Sequence, residues 1–281
     1  MPIHPTAVIE PGARIHASAE IGPFCVVGPN VTIGPGTKLL QSVTVIGRTT
    51  LGARNVVHPF AVLGGDPQDL KFRGEDSVTL IGDENVIRES VTVNKGTLGG
   101  GGETVIGNRN YLMAAAHVAH DTLIGDNCVV ANAVLLAGHI RVEPYAILSG
   151  WVCVHHFVTI GQHAFIGGCS RVNQDAPPYM ILQGMSGEIR GVNSVGLKRR
   201  GFKAEAITAL KDAYRIVWRS GLPKPEALAE VEKQFGQFPE IRTLIEFLRG
   251  SDLGHMGRRR ESRRPAAAPT APPPEPEEDI E

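Results

Sequence analysis

The chain is poor in aromatic residues, cysteine, net charge and long apolar runs, and each shortage excludes something. Aromatics make up 5% of its 281 residues, so packing cannot rest on large rings. Four cysteines, at positions 25, 128, 153 and 169, have neither CxxC spacing nor the density of a disulfide scaffold; free thiols in a reducing compartment are expected, and no zinc knot. A formal charge of −1 excludes the whole-molecule basic field that general nucleic-acid binding needs. No stretch reaches the roughly 18–20 apolar residues of a bilayer span, and the opening Met-Pro-Ile-His-Pro lacks a basic start followed by an apolar run. A cytoplasmic protein without stable membrane insertion is the expectation. Against these shortages stand 33 glycines and 42% hydrophobic residues, a balance that directs attention to internal repeats.

From Ile3 an aliphatic residue recurs every six positions through Leu63, eleven in succession. The period returns at Ile81, Ile87 and Val93, shifts phase, and runs from Ile106 to Val172 for twelve more. Glycine often follows the aliphatic, as at Gly22, Gly34, Gly82 and Gly161, where it allows close corners and positive φ. A period of six matches neither the 3.6 of a helix nor the alternation of a hairpin strand. It fits a short strand and a tight turn, three of which close one triangular coil with the aliphatics inside. The pattern resembles the left-handed parallel β-helix of hexapeptide-repeat acyltransferases, an exception to right-handed crossover; the handedness is implied by that resemblance.

The expected organisation is a β-solenoid over residues 1–190, a C-terminal α-helical domain over 191–253 and a disordered tail over 254–281. Two insertions, 65–79 and 99–104, leave the solenoid wall without feeding its core and are candidates for binding. After Val172 the segment Asp175-Ala176-Pro177-Pro178-Tyr179 breaks the pattern. Apolar positions at helical spacing predict a helix over 203–219 and two shorter ones over 225–235 and 239–248. Three consecutive arginines at 258–260, a Pro/Ala stretch and the acidic residues from Glu275 onward read as disorder.

Five histidines, 117, 120, 139, 155 and 156, fall in the last block of repeats, none at the inward aliphatic position. Isolated turn histidines are most simply solvated, the reading kept for His4, His16 and His163. His117-Val118-Ala119-His120-Asp121 differs because it joins a titratable base to an adjacent carboxylate. This string resembles the catalytic segment of the UDP-N-acetylglucosamine O-acyltransferases. Further matches follow in order: Gln68-Asp69-Leu70-Lys71, Ile87-Arg88-Glu89-Ser90-Val91-Thr92, Ala137-Gly138-His139, Gly167-Gly168-Cys169-Ser170, Gln174 to Tyr179, and Gly196-Leu197-Lys198-Arg199-Arg200-Gly201-Phe202. Together they span roughly residues 1–250.

The resemblance implies transfer of a (R)-3-hydroxyacyl chain from acyl carrier protein to the 3-position of UDP-N-acetylglucosamine in lipid A biosynthesis. No cofactor would be bound, the acyl group arriving on the carrier's phosphopantetheine, and the protein would be a homotrimer with sites between subunits. His120 would be the general base, Asp121 its orienting carboxylate and the Gly138 N–H the oxyanion donor. Asp69, Lys71, His117, His139 and His155 match sugar- or donor-site positions. Asn193, Lys198, Arg199 and Arg200 match positions near the UDP phosphates and the phosphopantetheine arm, where basic groups suit the anions. Gly168 matches the position limiting acyl length, and glycine there suggests a long chain. Asn94, His156 and Val195 stand where many relatives have His, Gln and Glu, which leaves the acceptor open between a 3-hydroxyl and a 3-amino sugar. Three other readings have less support. A related N-acyltransferase would be expected to carry a further N-terminal domain. A trimeric zinc carbonic anhydrase would use His117, His120 and His139 as ligands, whereas no metal is expected here. A noncatalytic scaffold would leave the His-Asp pair and both loops unexplained.

Overall fold

The computed structural model describes residues 3–263. Two-residue strands recur every six positions, beginning Val8–Ile9, Arg14–Ile15 and Glu20–Ile21. Each pairs in parallel with the strand one coil away, Val8 opposite Val26 and Ile15 opposite Ile33. Three strands complete one turn of a left-handed β-helix, and stacked coils build sheets of nine, eight and ten strands, called here the first, second and third. The second residue of each short strand is the repeating aliphatic. Leu39, Leu51, Leu63, Ile87, Leu112, Leu136 and Ile166 lie fully buried along the axis. The smaller position four residues later shares the interior, including Ala19, Cys25 and Cys128.

The corners correct one expectation. Positive φ falls three residues after the aliphatic and on non-glycine side chains, Phe24, Ser42, Arg54, Asp121, His139, Trp151 and Cys169 among them. Such residues resist this conformation. The neighbouring coil holds them in it, because the corner N–H donates to an oxygen one coil back: a carbonyl for Ser42 (Pro23, 2.9 Å), His139 (His120, 3.0 Å) and Cys169 (Gly150, 3.0 Å), a threonine hydroxyl for Phe24 (Thr6, 3.1 Å) and Asp121 (Thr104, 2.8 Å). The glycine after the aliphatic has a different reason. A Cβ on Gly22 would lie 2.2 Å from the Leu40 carbonyl oxygen, and one on Gly34 2.5 Å from that of Gly52. Stacking distance, not positive φ, selects glycine there.

A buried polar ladder crosses three coils. Asn55 Nδ2 donates to Gly82 O (2.8 Å), while Asn55 Oδ1 accepts from the backbone N–H (2.9 Å) and Nδ2 (3.0 Å) of Asn85. Asn85 Nδ2 donates to Gly107 O (2.9 Å) and its Oδ1 accepts from Asn110 N (2.8 Å). Buried polar groups require such partners.

Both insertions leave at the vertex between the first and second sheets. The first connects the strand Val62–Gly65 to Val78–Ile81, so that Val78 pairs with Arg48. The second follows Thr92–Asn94, contains a 3-10 turn at Leu98–Gly100 and ends in the strand Glu103–Ile106. They are tied together: Asn94 Nδ2 donates to Asp66 O (2.9 Å), and Lys95 Nζ lies 2.9 Å from Asp66 Oδ1 and 4.9 Å from the Phe72 ring centroid.

Beyond Val172 the third sheet continues where the six-residue count stops. Met180–Gln183 pairs in parallel with Phe165–Ile166 and antiparallel with Glu188–Val192. Four helices follow, α1 (Ser194–Arg199), α2 (Ala204–Arg219), α3 (Lys224–Phe235) and α4 (Pro239–Asp252). The last three lie within a few residues of the expected ones; α1 and the hairpin were not anticipated. The helices enclose a second core around Leu197, Ile207, Leu210, Val231, Ile241 and Leu244. No helix among the described residues is long and apolar enough to cross a membrane.

The beginning of the expected disordered tail is ordered. Gly254 and Gly257 take left-handed φ of 67° and 73°, and a 3-10 segment at Arg258–Arg263 returns over the solenoid. Residues 264–281, the remainder of that expected tail, lie outside the described residues.

Candidate active site

His120 and Asp121 occupy the vertex between the strands His117–Val118 of the first sheet and Leu123–Ile124 of the second. His120 Nδ1 lies 2.7 Å from Asp121 Oδ2. The Asp121 side chain is fully buried and the His120 side chain 13% exposed. Thr97, on the second insertion, donates its backbone N–H to Asp121 Oδ1 (2.8 Å) and its hydroxyl to Oδ2 (2.7 Å). Burial by itself would raise the Asp121 carboxyl, but the bonds from His120 and Thr97 and the nearby His139 outweigh it and hold the group below its ordinary value. An ionised carboxylate only accepts, so the His120 proton sits on Nδ1 and the Nε2 lone pair is left available. Nε2 has no hydrogen-bond partner among the described residues.

The glycine run explains itself at this point: a Cβ on Gly100 would fall 2.0 Å from the Asp121 carboxyl carbon. Gly138, one coil on, stacks on the His120 ring, and a Cβ there would lie 2.5 Å from His120 Cε1. Its N–H donates to no acceptor among the described residues. His139 follows at the same vertex, with Nδ1 3.6 Å from Asp121 Oδ2, its ring edge-on to His120 at 5.1 Å and stacked on Phe157 at 4.4 Å. His120, Asp121 and His139 bring ligand atoms within 4.8 Å of one another, a spacing a metal ion could use. His117 does not join them; its Nδ1 lies 2.7 Å from Thr92 Oγ1, which corrects the ligand set of the carbonic anhydrase alternative. Burial, then the charge of His120, pushes the His117 imidazole down.

The other expected site residues are dispersed. His155 lies two coils beyond His117, its ring 3.8 Å from that of His156. Asp69 and Lys71 sit on the first insertion, where Asp69 Oδ1 accepts the Lys71 N–H (3.0 Å). Lys198, Arg199 and Arg200 are exposed at the end of α1, with Arg200 stacked 4.4 Å over Tyr145 at the vertex between the second and third sheets. Asn193 caps α1 by accepting the Gly196 N–H (3.1 Å) and donates to His163 O (3.0 Å), so both ends of its amide serve the fold. Gly168 is at the third vertex, where a Cβ would meet only ordinary contacts, the nearest Gly150 O at 3.4 Å. One chain therefore brings together His120, Asp121, Gly138 and His139 and keeps the basic segment and Gly168 on the other two vertices.

His163, expected to be solvated, is half-buried between the rings of Tyr145 and Tyr179, at 4.7 and 5.8 Å. Burial, with the charge of Arg200 second, lowers it to about 4. Burial pushes the Cys128 thiol up to about 12, which removes it as a nucleophile at neutral pH. Sequence reasoning missed Thr97, whose only signal was its place in the phase break between Val93 and Ile106, and it missed Arg260. That guanidinium reaches the vertex from the C-terminal segment, with Nη2 donating to His139 O (2.9 Å) and Phe157 O (3.2 Å).

A family model described as UDP N-acetylglucosamine O-acyltransferase, domain 2, matches residues 175–256, and a six-repeat bacterial transferase hexapeptide model matches 6–41 and 103–138. LpxA from Acinetobacter baumannii is 38% identical, with a TM-score of 0.87 over 89% of this chain and 98% of that one. LpxA from Bacteroides fragilis, a UDP-N-acetylglucosamine acyltransferase, is 42% identical with a TM-score of 0.86 and the same coverage. The Arabidopsis UDP-N-acetylglucosamine acyltransferase is 35% identical, with a TM-score of 0.77 over 89% of this chain and 96% of its own. Identity of this order over nearly the whole of those chains, on the same solenoid with the same helical end, means that this chain belongs to the UDP-N-acetylglucosamine O-acyltransferase family and is an acyltransferase.

Proposed function

We propose that the protein transfers a (R)-3-hydroxyacyl chain from the phosphopantetheine thioester of acyl carrier protein to the 3-hydroxyl of UDP-N-acetylglucosamine, the first acylation of lipid A synthesis, in the cytoplasm. The observation that carries this reading is the 2.7 Å His120–Asp121 pair with its carboxylate buried and its Nε2 without a hydrogen-bond partner among the described residues. Nε2 takes the proton of the sugar hydroxyl as its oxygen attacks the thioester carbonyl. Asp121 keeps the proton on Nδ1 and stabilises the imidazolium. The Gly138 N–H supports the oxyanion of the tetrahedral intermediate. Collapse breaks the C–S bond, and the imidazolium returns its proton to the departing thiolate.

The remaining positions take roles consistent with their chemistry: His117, His139, His155, Asp69 and Lys71 at the sugar and donor, Lys198 to Arg200 at phosphates, Gly168 along the acyl chain. Asn193 would act through the placement of α1. Because these groups lie on three vertices of one solenoid, a site that uses all of them is completed by neighbouring copies, which favours a homotrimer. Incubation with UDP-N-acetylglucosamine and (R)-3-hydroxyacyl carrier protein should add one acyl group at the 3-position, read by mass spectrometry, and His120→Ala should abolish it. A parallel incubation with the 3-amino sugar nucleotide fixes the acceptor. Bound zinc with bicarbonate activity and no acyl transfer to either sugar would overturn the proposal.

A further inference from the structure

The catalytic vertex holds more positive charge than proton transfer uses. A cleft of about 300 Å³ beside Asp121 and His139 is also lined by Gly100, Arg141, Phe157 and Arg260. Arg141 projects from the outer face of the second sheet, and its guanidinium makes no hydrogen bond or ion pair among the described residues. Arg260 arrives from the segment that returns after α4. Among the described residues its guanidinium donates to the carbonyl oxygens of His139, Phe157 and Gly257 and lies 5.9 Å from the Phe157 ring. No carboxylate of the described residues pairs with it. Of the acidic groups at the cleft, Asp121 is committed to His120 and Thr97, and Glu103 is exposed at the rim. The position of Arg260 is built. Arg258 N–H donates to Asp175 Oδ1 (2.9 Å), Ser251 Oγ bonds the other oxygen, and a Cβ on Gly257 would overlap that carboxylate. Glu261 Oε1 lies 3.2 Å from His156 Nε2 and fixes the far side. Burial and then the like charge of Arg141 disfavour protonated Arg260, with the Asp175 carboxylate only partly offsetting them, and an anion between the two arginines would relieve that cost.

We propose that Arg141 and Arg260 form a phosphate-binding subsite in the catalytic cleft, its second arginine supplied by the C-terminal segment beyond the matched family domain, which ends at residue 256. The inference rests on the acyl-transfer reading, because both substrates of that reaction carry phosphate: the pyrophosphate of the sugar nucleotide and the phosphate of the phosphopantetheine arm. Two planar guanidiniums suit either one.

Calorimetric titration of the full-length protein with UDP-N-acetylglucosamine, and separately with 4′-phosphopantetheine, distinguishes the sources. Arg260→Gln and Arg141→Gln should each weaken the same one of these ligands by about ten-fold or more, the usual loss for a charge-assisted hydrogen bond. The salt dependence of that ligand's binding should fall in both variants, and Arg260→Lys should recover part of the affinity. Thermal melting of each variant separates a lost ligand contact from a loosened vertex. Unchanged affinity for both ligands, or weakening of both in step with a lowered Tm and without rescue by lysine, overturns the subsite while leaving acyl transfer intact. A wild-type protein that binds neither ligand and transfers no acyl group overturns both proposals.

Discussion

Asp121 stands in the left-handed corner of its hexapeptide with both carboxylate oxygens accepting hydrogen bonds, and an amide cannot reproduce that pattern. Asp121→Asn should therefore lower kcat by roughly 10²–10⁴ with a much smaller change in KM, because the imidazole loses its tautomer and its counter-charge. Steady-state kinetics on both substrates tests this. The ionised Asp121 also contributes stability that is complete above the unfolded value near 4 and is lost as pH falls through its depressed folded value. His163 acts in a higher window. The unfolded chain takes up a proton near pH 6.5, whereas the folded imidazole does so only at about 4, so this residue costs stability as pH falls between those values. His163→Phe should flatten that part of the profile, seen as a smaller difference between urea midpoints at pH 7 and pH 5. The His120–Asp121 pair was legible in the chain because its two members are adjacent. Thr97 was not, because its approach to Asp121 depends on how an insertion folds back across a coil.

At the scale of the repeat, two kinds of glycine should respond oppositely to substitution. Gly34→Ala forces a Cβ into the next coil, 2.5 Å from the Gly52 carbonyl oxygen, and should destabilise by about 1–3 kcal/mol. Gly168→Leu meets no such obstacle at its Cβ and should leave the melting temperature nearly unchanged while shortening the acyl chain accepted. Melting curves and a chain-length series on the same two proteins test the pair together. Loss of stability at Gly168 with unchanged chain preference would make it an ordinary corner glycine. Strand positions followed from the period because every inward aliphatic reports its own burial. The hairpin Met180–Gln183 and Glu188–Val192 escaped notice because it extends the third sheet after the period has ended. The six-residue α1 is too short to show periodicity.

The whole solenoid presents three vertices with different equipment: the His120–Asp121 pair on one, Arg200 against Tyr145 on the second, Gly168 on the third. A trimer assembled from His120→Ala and Arg200→Ala chains should regain activity above either parent, since some sites would then draw both intact residues from different copies. Light scattering of the wild type should give three times the mass of 30.1 kDa. Failure of the mixture to exceed its parents would place every functional group of a site on one chain.

The sequence by itself determined the solenoid, its two interruptions, the three longer helices and the adjacent His-Asp pair. Each of these is written in local spacing, and each aliphatic is buried or not by its own position in the period. Only the tertiary structure decided which residues stand around the pair. Thr97 beneath Asp121, Gly138 against His120 and Arg260 across from Arg141 are separated by whole coils or by the helical end of the chain. Their meeting follows from stacking at a single vertex and from a C-terminal segment pinned by Asp175, contacts between distant parts of the chain that no six-residue period records.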